Sequence, residues 1–168
     1  MEDFTKIRTW AEVDLSALAH NYRALRALTP AGCKFLGLVK ANAYGHGAVP
    51  IAKKLEELGC DMLAVACVAE AAQLRQAGVT LPILCLGYTP VEETEALLRY
   101  HVTQTVGDLE TGRALSEAAQ RSGGVLDIHV KLDTGMGRIG FLWRLDGGNT
   151  AVADDIAALC ALPRLRAG

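Results

Sequence analysis

The sequence predicts an α/β fold organised around a parallel sheet, on three observations. Short, mostly apolar runs recur at Phe35–Val39, Met62–Cys67, Ile83–Leu86, Val102–Val106 and Val125–Val130. They lack strong polar alternation, as strands buried on both faces do. Segments of helical period separate them, so strand and helix alternate five times, the pattern of βαβ crossovers.

Each element carries its own signals. Thr9-Trp10-Ala11-Glu12-Val13-Asp14 alternates polar and apolar residues and reads as a half-exposed strand unlike the others. Asp14 or Ser16 then opens a helix with Leu18, Tyr22 and Leu25 on one side. Ile51, Leu55 and Leu58 share a helix face that stops at Gly59, and an alanine-rich helix over Val68–Ala77 stops at Gly78. Thr89-Pro90-Val91-Glu92 has the form of a helix start, with Thr89 as cap, proline first in the helix and a glutamate three residues on. Asp108 caps a helix running through Leu115 and Ala119 to Gly123-Gly124, and a last helix spans about Val152 to Leu162 before Pro163. Leu165–Gly168 resembles the approach to a sixth strand.

Bulk properties exclude several classes. At 168 residues, 51% hydrophobic and 21% charged, the chain fits one globular domain. A net charge of −2 and a pI near 6.1 provide no field for nucleic acid or anionic membrane. Met1–Lys6 lacks the basic-then-apolar form of a secretory signal and no apolar run reaches membrane-spanning length, so a cytoplasmic protein is expected. The five cysteines, Cys33, Cys60, Cys67, Cys85 and Cys160, have no CxxC or Cys/His ligand spacing, and reduced, buried thiols are expected. No metal site is expected. His20, His101 and His129 occur singly, and Glu56-Glu57, Glu92-Glu93 and Asp154-Asp155 read as solvated helix faces.

An eight-stranded α/β barrel needs about 250 residues. The strand count therefore allows either an open doubly wound sheet or the front part of a longer barrel.

Chemistry concentrates in two places. Lys40 directly follows the first apolar run and directly precedes Ala41-Asn42-Ala43-Tyr44-Gly45-His46-Gly47. A buried strand ending in lysine and a glycine-rich turn holds an amine at a cavity rim, where partial desolvation favours the nucleophilic free amine. Lys131-Leu132-Asp133-Thr134-Gly135-Met136-Gly137-Arg138 follows another apolar run. In a parallel sheet both segments sit at strand carboxyl ends, on one face of a barrel. Asn42 and His46 are expected to fix loop geometry through local hydrogen bonds, and Asp133 and Met136 receive no chemical role.

The run Val39–Gly47 resembles the pyridoxal-phosphate attachment motif of bacterial alanine racemases. Thr9–Leu15 resembles that family's N-terminal strand, and KLDTGMGRIG over Lys131–Gly140 its mid-barrel motif. The resemblance implies a partial (β/α)8 TIM-type barrel of about five parallel strands, cut before the later strands and a C-terminal β-domain. Residues 1–14 would be a strand pairing with that domain, and 15–168 the partial barrel. The implied activity is racemisation of L-alanine to D-alanine for peptidoglycan precursors, with pyridoxal 5′-phosphate as cofactor, in a homodimer. By the same resemblance Lys40 would form the Schiff base and move the Cα proton, and Tyr44 would donate to the cofactor phosphate. Arg138 would lie near the cofactor's phenolic oxygen and hold the substrate carboxylate, while Lys131 would be carbamylated and pair with Arg138. The tyrosine serving the opposite face of Cα would come from a neighbouring subunit's C-terminal domain, so this chain alone is expected to be inactive. A serine/alanine racemase fragment and a non-catalytic pyridoxal-phosphate-binding barrel are the alternatives. Two open strand edges are expected, near Phe35–Val39 and Val125–Val130.

Overall fold

A computed structural model of the chain describes residues 9–168. The first eight residues of the expected 1–14 strand lie outside the described residues, and Thr9–Asp14 form no strand pairing among them. Asp14 ends this segment by accepting hydrogen bonds from Ser16 N (2.7 Å) and Ala17 N (3.2 Å), which caps α1 (Leu15–Leu28). Helix α1 buries Ala19 and Tyr22, and the Tyr22 ring meets Phe35 edge-on at 5.0 Å. Leu25, expected on this face, is exposed. One turn beyond Tyr22 the inward position belongs to Arg26, whose Nη1 donates to Cys33 O at 2.7 Å.

The sheet consists of β1 (Leu36–Leu38), β2 (Met62–Val65), β3 (Ile83–Cys85), β4 (Val102–Val106), β5 (Leu126–Val130) and, at the end of the chain, β8 (Leu165–Ala167). All neighbours are parallel, and spatial order equals sequence order throughout. A doubly wound sheet reverses its strand order at a switch point. This sheet never does, so it is an arc of a (β/α) barrel. The terminal residues do form a sixth strand, with Leu126 N donating to Arg164 O and Gly168 N to Ile128 O. One free edge is therefore β8, and not β5 as the expected strand count implied.

Between the strands come α2 (Lys40–Tyr44), α3 (Ala48–Glu57), α4 (Val68–Gln76), α5 (Thr94–Arg99), α6 (Leu109–Arg121) and α7 (Thr150–Cys160). A small parallel pair, β6 (Leu132–Asp133) and β7 (Phe141–Leu142), follows β5. The helices cover one face of the sheet, where Val39, Leu63, Val65, Ile83, Cys85, Val106 and Ile128 are fully enclosed. The opposite, inner face carries Leu36, Leu38, Thr103, Asp127 and His129 and is only partly covered. Leu36 and Leu38 are exposed, although both faces of their strand were expected to be buried. An inner barrel face is covered by strands across the barrel, and an arc of six supplies too few.

Two local expectations fail for identifiable reasons. Thr89 does not cap a helix: it is 3% exposed, and its hydroxyl donates to Gln104 Oε1 at 2.7 Å. Gln104, 1% exposed, is held in turn by bonds from its Nε2 to Gly87 O and Thr105 O. A buried amide needs these partners, so Thr89 serves β4, a 3₁₀ turn fills Val91–Glu93, and α5 begins only at Thr94. The cysteines are all free, but only Cys60 and Cys85 are buried. The strand expected to run to Cys67 ends at Val65, which leaves Cys67 exposed at the start of α4.

Candidate active site

Both chemical segments emerge at the carboxyl end of the sheet. Val39 N donates to Ala64 O at 2.9 Å, carrying the β1–β2 ladder up to Lys40, and Lys131 N donates to Val106 O at 2.9 Å just past β5. Lys40, Lys131 and Arg138 line one cavity of about 280 Å³ together with Ala66, Leu86, Gly87 and Ile139. Lys40 and Lys131 are half-buried and Arg138 is exposed at the mouth. Tyr44 is exposed beside the cavity, with its ring centroid 5.9 Å from Lys40 Nζ. A larger hollow of about 440 Å³ lies between the β3–α5 loop and α6, but its lining includes Asp108 and Glu110 and no lysine or arginine. Size alone does not locate the chemistry here.

The turn after Lys40 is unusual. Ala41, Asn42, Ala43 and Tyr44 all have φ between 50° and 53°, so α2 is a left-handed turn built of non-glycine residues. Asn42 Oδ1 accepts from Ala48 N at 2.8 Å, and His46 Nδ1 lies 2.8 Å from Ala43 O. Those two side chains fix the loop locally, as their placement in the motif suggested.

Arg138 is positioned by Asp133, which sequence reasoning left without a role. Asp133 Oδ1 accepts from Gly135 N and Gly137 N, each at 3.0 Å, and Oδ2 from Arg138 N at 2.8 Å. These backbone donors pull its pKa from 3.8 down to about 2. An acid followed by glycines two and four residues on is the readable signal for such a backbone nest. Because the folded pKa lies below the unfolded one, the carboxylate's contribution is complete above pH about 4 and is lost as pH falls toward about 2. Protection of the Gly135, Gly137 and Arg138 amides, measured against their intrinsic exchange rates at each pH, is expected to fall across that window, and Asp133→Asn to abolish that fall.

Glycine is required where this loop returns to the sheet. At Gly140, with φ 131°, a Cβ would lie 2.8 Å from Asp133 N and 2.9 Å from Lys131 O. At Gly107 a Cβ would lie 2.7 Å from Gly140 Cα. This backbone contact seats the Arg138 loop on the end of β4.

The cavity thus gathers a primary amine and two further cations, with no carboxylate in its lining. It suits an anionic ligand that can react with an amine. The sequence model described as alanine racemase, N-terminal domain, matches residues 13–164. The chain belongs to that family. It is 50% identical over 131 residues to the alanine racemase of Desulfovibrio desulfuricans, covering 78% of this chain and 35% of the relative. It is 46% identical over 154 residues to an alanine racemase of Clostridium perfringens, covering 92% and 38% respectively. Among solved structures, alanine racemase from Clostridium difficile superposes with a TM-score of 0.90 at 42% identity, covering 96% of this chain and 41% of that one. The chain therefore spans about two-fifths of the length of the alanine racemases it matches. Among the described residues, no helix is long and apolar enough to cross a membrane, and no group of three metal-ligating side chains gathers.

Proposed function

We propose that the chain forms the cofactor-holding part of a pyridoxal-phosphate-dependent racemase that interconverts L- and D-alanine. The observation that carries this reading is the convergence of Lys40 and Arg138 on one cavity, from segments that follow different strands. The donor set fits the cofactor: a primary amine for its aldehyde, and the Arg138 guanidinium, with no carboxylate side chain in the lining, for its anionic groups. Bound there, pyridoxal phosphate would supply the electron sink that makes the amino acid's Cα proton removable. Lys40 would move that proton on one face. Arg138 would hold the substrate carboxylate with its planar fork and lie near the phenolic oxygen. Tyr44 would turn its hydroxyl to the phosphate. Lys131 would act as a carbamate, since an anion there pairs with Arg138 where an ammonium would repel it.

Racemisation needs a proton donor on each face of Cα, and these residues supply one. The second, a tyrosine, would come from the C-terminal β-domain of a neighbouring subunit in a cytoplasmic homodimer, to which the Thr9–Leu15 segment would pair. The product would serve peptidoglycan synthesis. The test is to join the chain to the C-terminal remainder of the Desulfovibrio desulfuricans relative and assay L-alanine and L-serine. Conversion of L-alanine to D-alanine by the joined protein, with little or none by the 168-residue chain, is the expected result. Faster turnover of L-serine would reassign the substrate, and cofactor binding without turnover of either would make the protein a cofactor carrier.

A further inference from the structure

The geometry points to Glu70 as a positioning residue that holds the backbone behind Lys40 and so aims its amine into the cavity, an inference that rests on the role proposed for Lys40. The left-handed turn over Ala41–Tyr44 is intrinsically unfavourable. Each non-glycine residue in that conformation costs about 1–2 kcal/mol, and single residues are the norm. Four in succession persist only if the surroundings hold them. Alanine side chains at 41 and 43 cannot do so themselves.

The first amide of the turn, Ala41 N, is also the first amide after Lys40. It donates to Glu70 Oε1 at 2.7 Å. The other oxygen, Oε2, accepts from Ala66 N at 2.7 Å, one residue past β2 and on the cavity wall. One carboxylate therefore ties the backbone behind the reactive lysine to the end of the neighbouring strand. Both bonds are short and charge-assisted, a strong class. Glu70 is itself firmly placed, because Val68, Ala71 and Leu74 bury the same short helix α4 against the sheet. Among the described residues no ion pair engages Glu70. Its two oxygens serve two backbone amides, and both amides flank the cavity.

Glutamine cannot reproduce this arrangement, since its amide offers one acceptor and would turn an N–H toward the second donor. Aspartate is one methylene short. With the clamp released, the turn relaxes toward right-handed or extended backbone and the Lys40 side chain leaves its direction.

The test compares wild type, Glu70→Gln and Glu70→Ala as the cofactor-free chain, with two readouts. Hydrogen exchange follows the Ala41 and Ala66 amides. Reductive labelling with pyridoxal phosphate and borohydride, located by peptide mass, follows Lys40 relative to Lys53 and Lys54 on α3. In Glu70→Ala both amides are expected to exchange about tenfold faster or more, as loss of a hydrogen bond to a charged group implies. The Lys40-to-Lys53 labelling ratio is expected to fall about tenfold, with Glu70→Gln intermediate. A lower unfolding midpoint with an unchanged labelling ratio would overturn the proposal, as would persistent protection of both amides. If Glu70→Ala does not fold, Glu70→Gln decides alone. If wild type shows no preference for Lys40, the role of Lys40 fails, while exchange at Ala41 and Ala66 still decides whether Glu70 holds the turn.

Discussion

Replacing Lys40 with alanine is expected to abolish covalent capture of pyridoxal phosphate, and with it the imine absorbance expected of wild type on mixing. Among the described residues, the cavity wall holds one other primary amine, that of Lys131. Lys131 shares the cavity but follows β5 rather than β1, so it approaches from the other side of the arc. The variant keeps the Arg138 guanidinium, so weak, salt-sensitive association of the anionic cofactor is expected to persist after the imine band has gone. In the joined, full-length form, loss of the base alone lowers turnover by about 10²–10⁴, and loss of cofactor attachment lowers it further. The measurement is a difference spectrum together with an alanine racemisation assay. An imine band of wild-type intensity in Lys40→Ala would remove Lys40 from the chemistry.

The largest expected loss of stability lies away from the site, at Arg75. Its Nε donates to Tyr100 O (2.9 Å), its Nη1 to Val79 O (2.9 Å) and Leu81 O (2.7 Å), and its Nη2 to His101 O (3.4 Å). These carbonyls lead into β3 and β4, so one guanidinium sets the entry of both strands. Partial burial pushes its pKa down, opposed by the charge of Glu56, which itself accepts from Thr80 N, Thr80 Oγ1 and Leu81 N. Arg75→Ala leaves these half-covered carbonyls without their donor and is expected to cost about 2–4 kcal/mol. At this chain length that is a fall in Tm of roughly 5–15 °C. Arg75→Lys is expected to recover little, because a point ammonium cannot span a fork of four acceptors. Denaturant unfolding of the three proteins checks this, and a loss below about 0.5 kcal/mol for the alanine variant would show that water replaces the guanidinium without penalty.

The parts of the fold that were legible in the sequence are those fixed locally. Asp14 and Asp108 cap the helices they precede, because an aspartate side chain reaches the amides two and three residues on without help from elsewhere. Gly59 and Gly78 lie just beyond helix ends for the same kind of reason. Thr89 has every local mark of a cap and fails, because a buried glutamine fifteen residues away needs its hydroxyl more. Leu25 and Leu36 read as core and are exposed, since burial depends on which elements arrive opposite. In the site, Lys40, Lys131 and Arg138 were visible as motif residues and the cavity unites them. Of the groups that aim them, Asp133 carried a readable signal and Glu70 did not. Asp133 works through backbone amides close in sequence, whereas Glu70 works through Ala41, 29 residues away. No periodicity or spacing encodes such a pairing.

The most direct measurement is a crystal structure of the chain soaked with pyridoxal phosphate. Electron density running continuously from Lys40 Nζ into the cofactor ring, with the Arg138 guanidinium against the same molecule, is the expected result. Cofactor attached at another lysine, or Arg138 turned away with the cavity between them filled by protein, would contradict the assignment of this cavity.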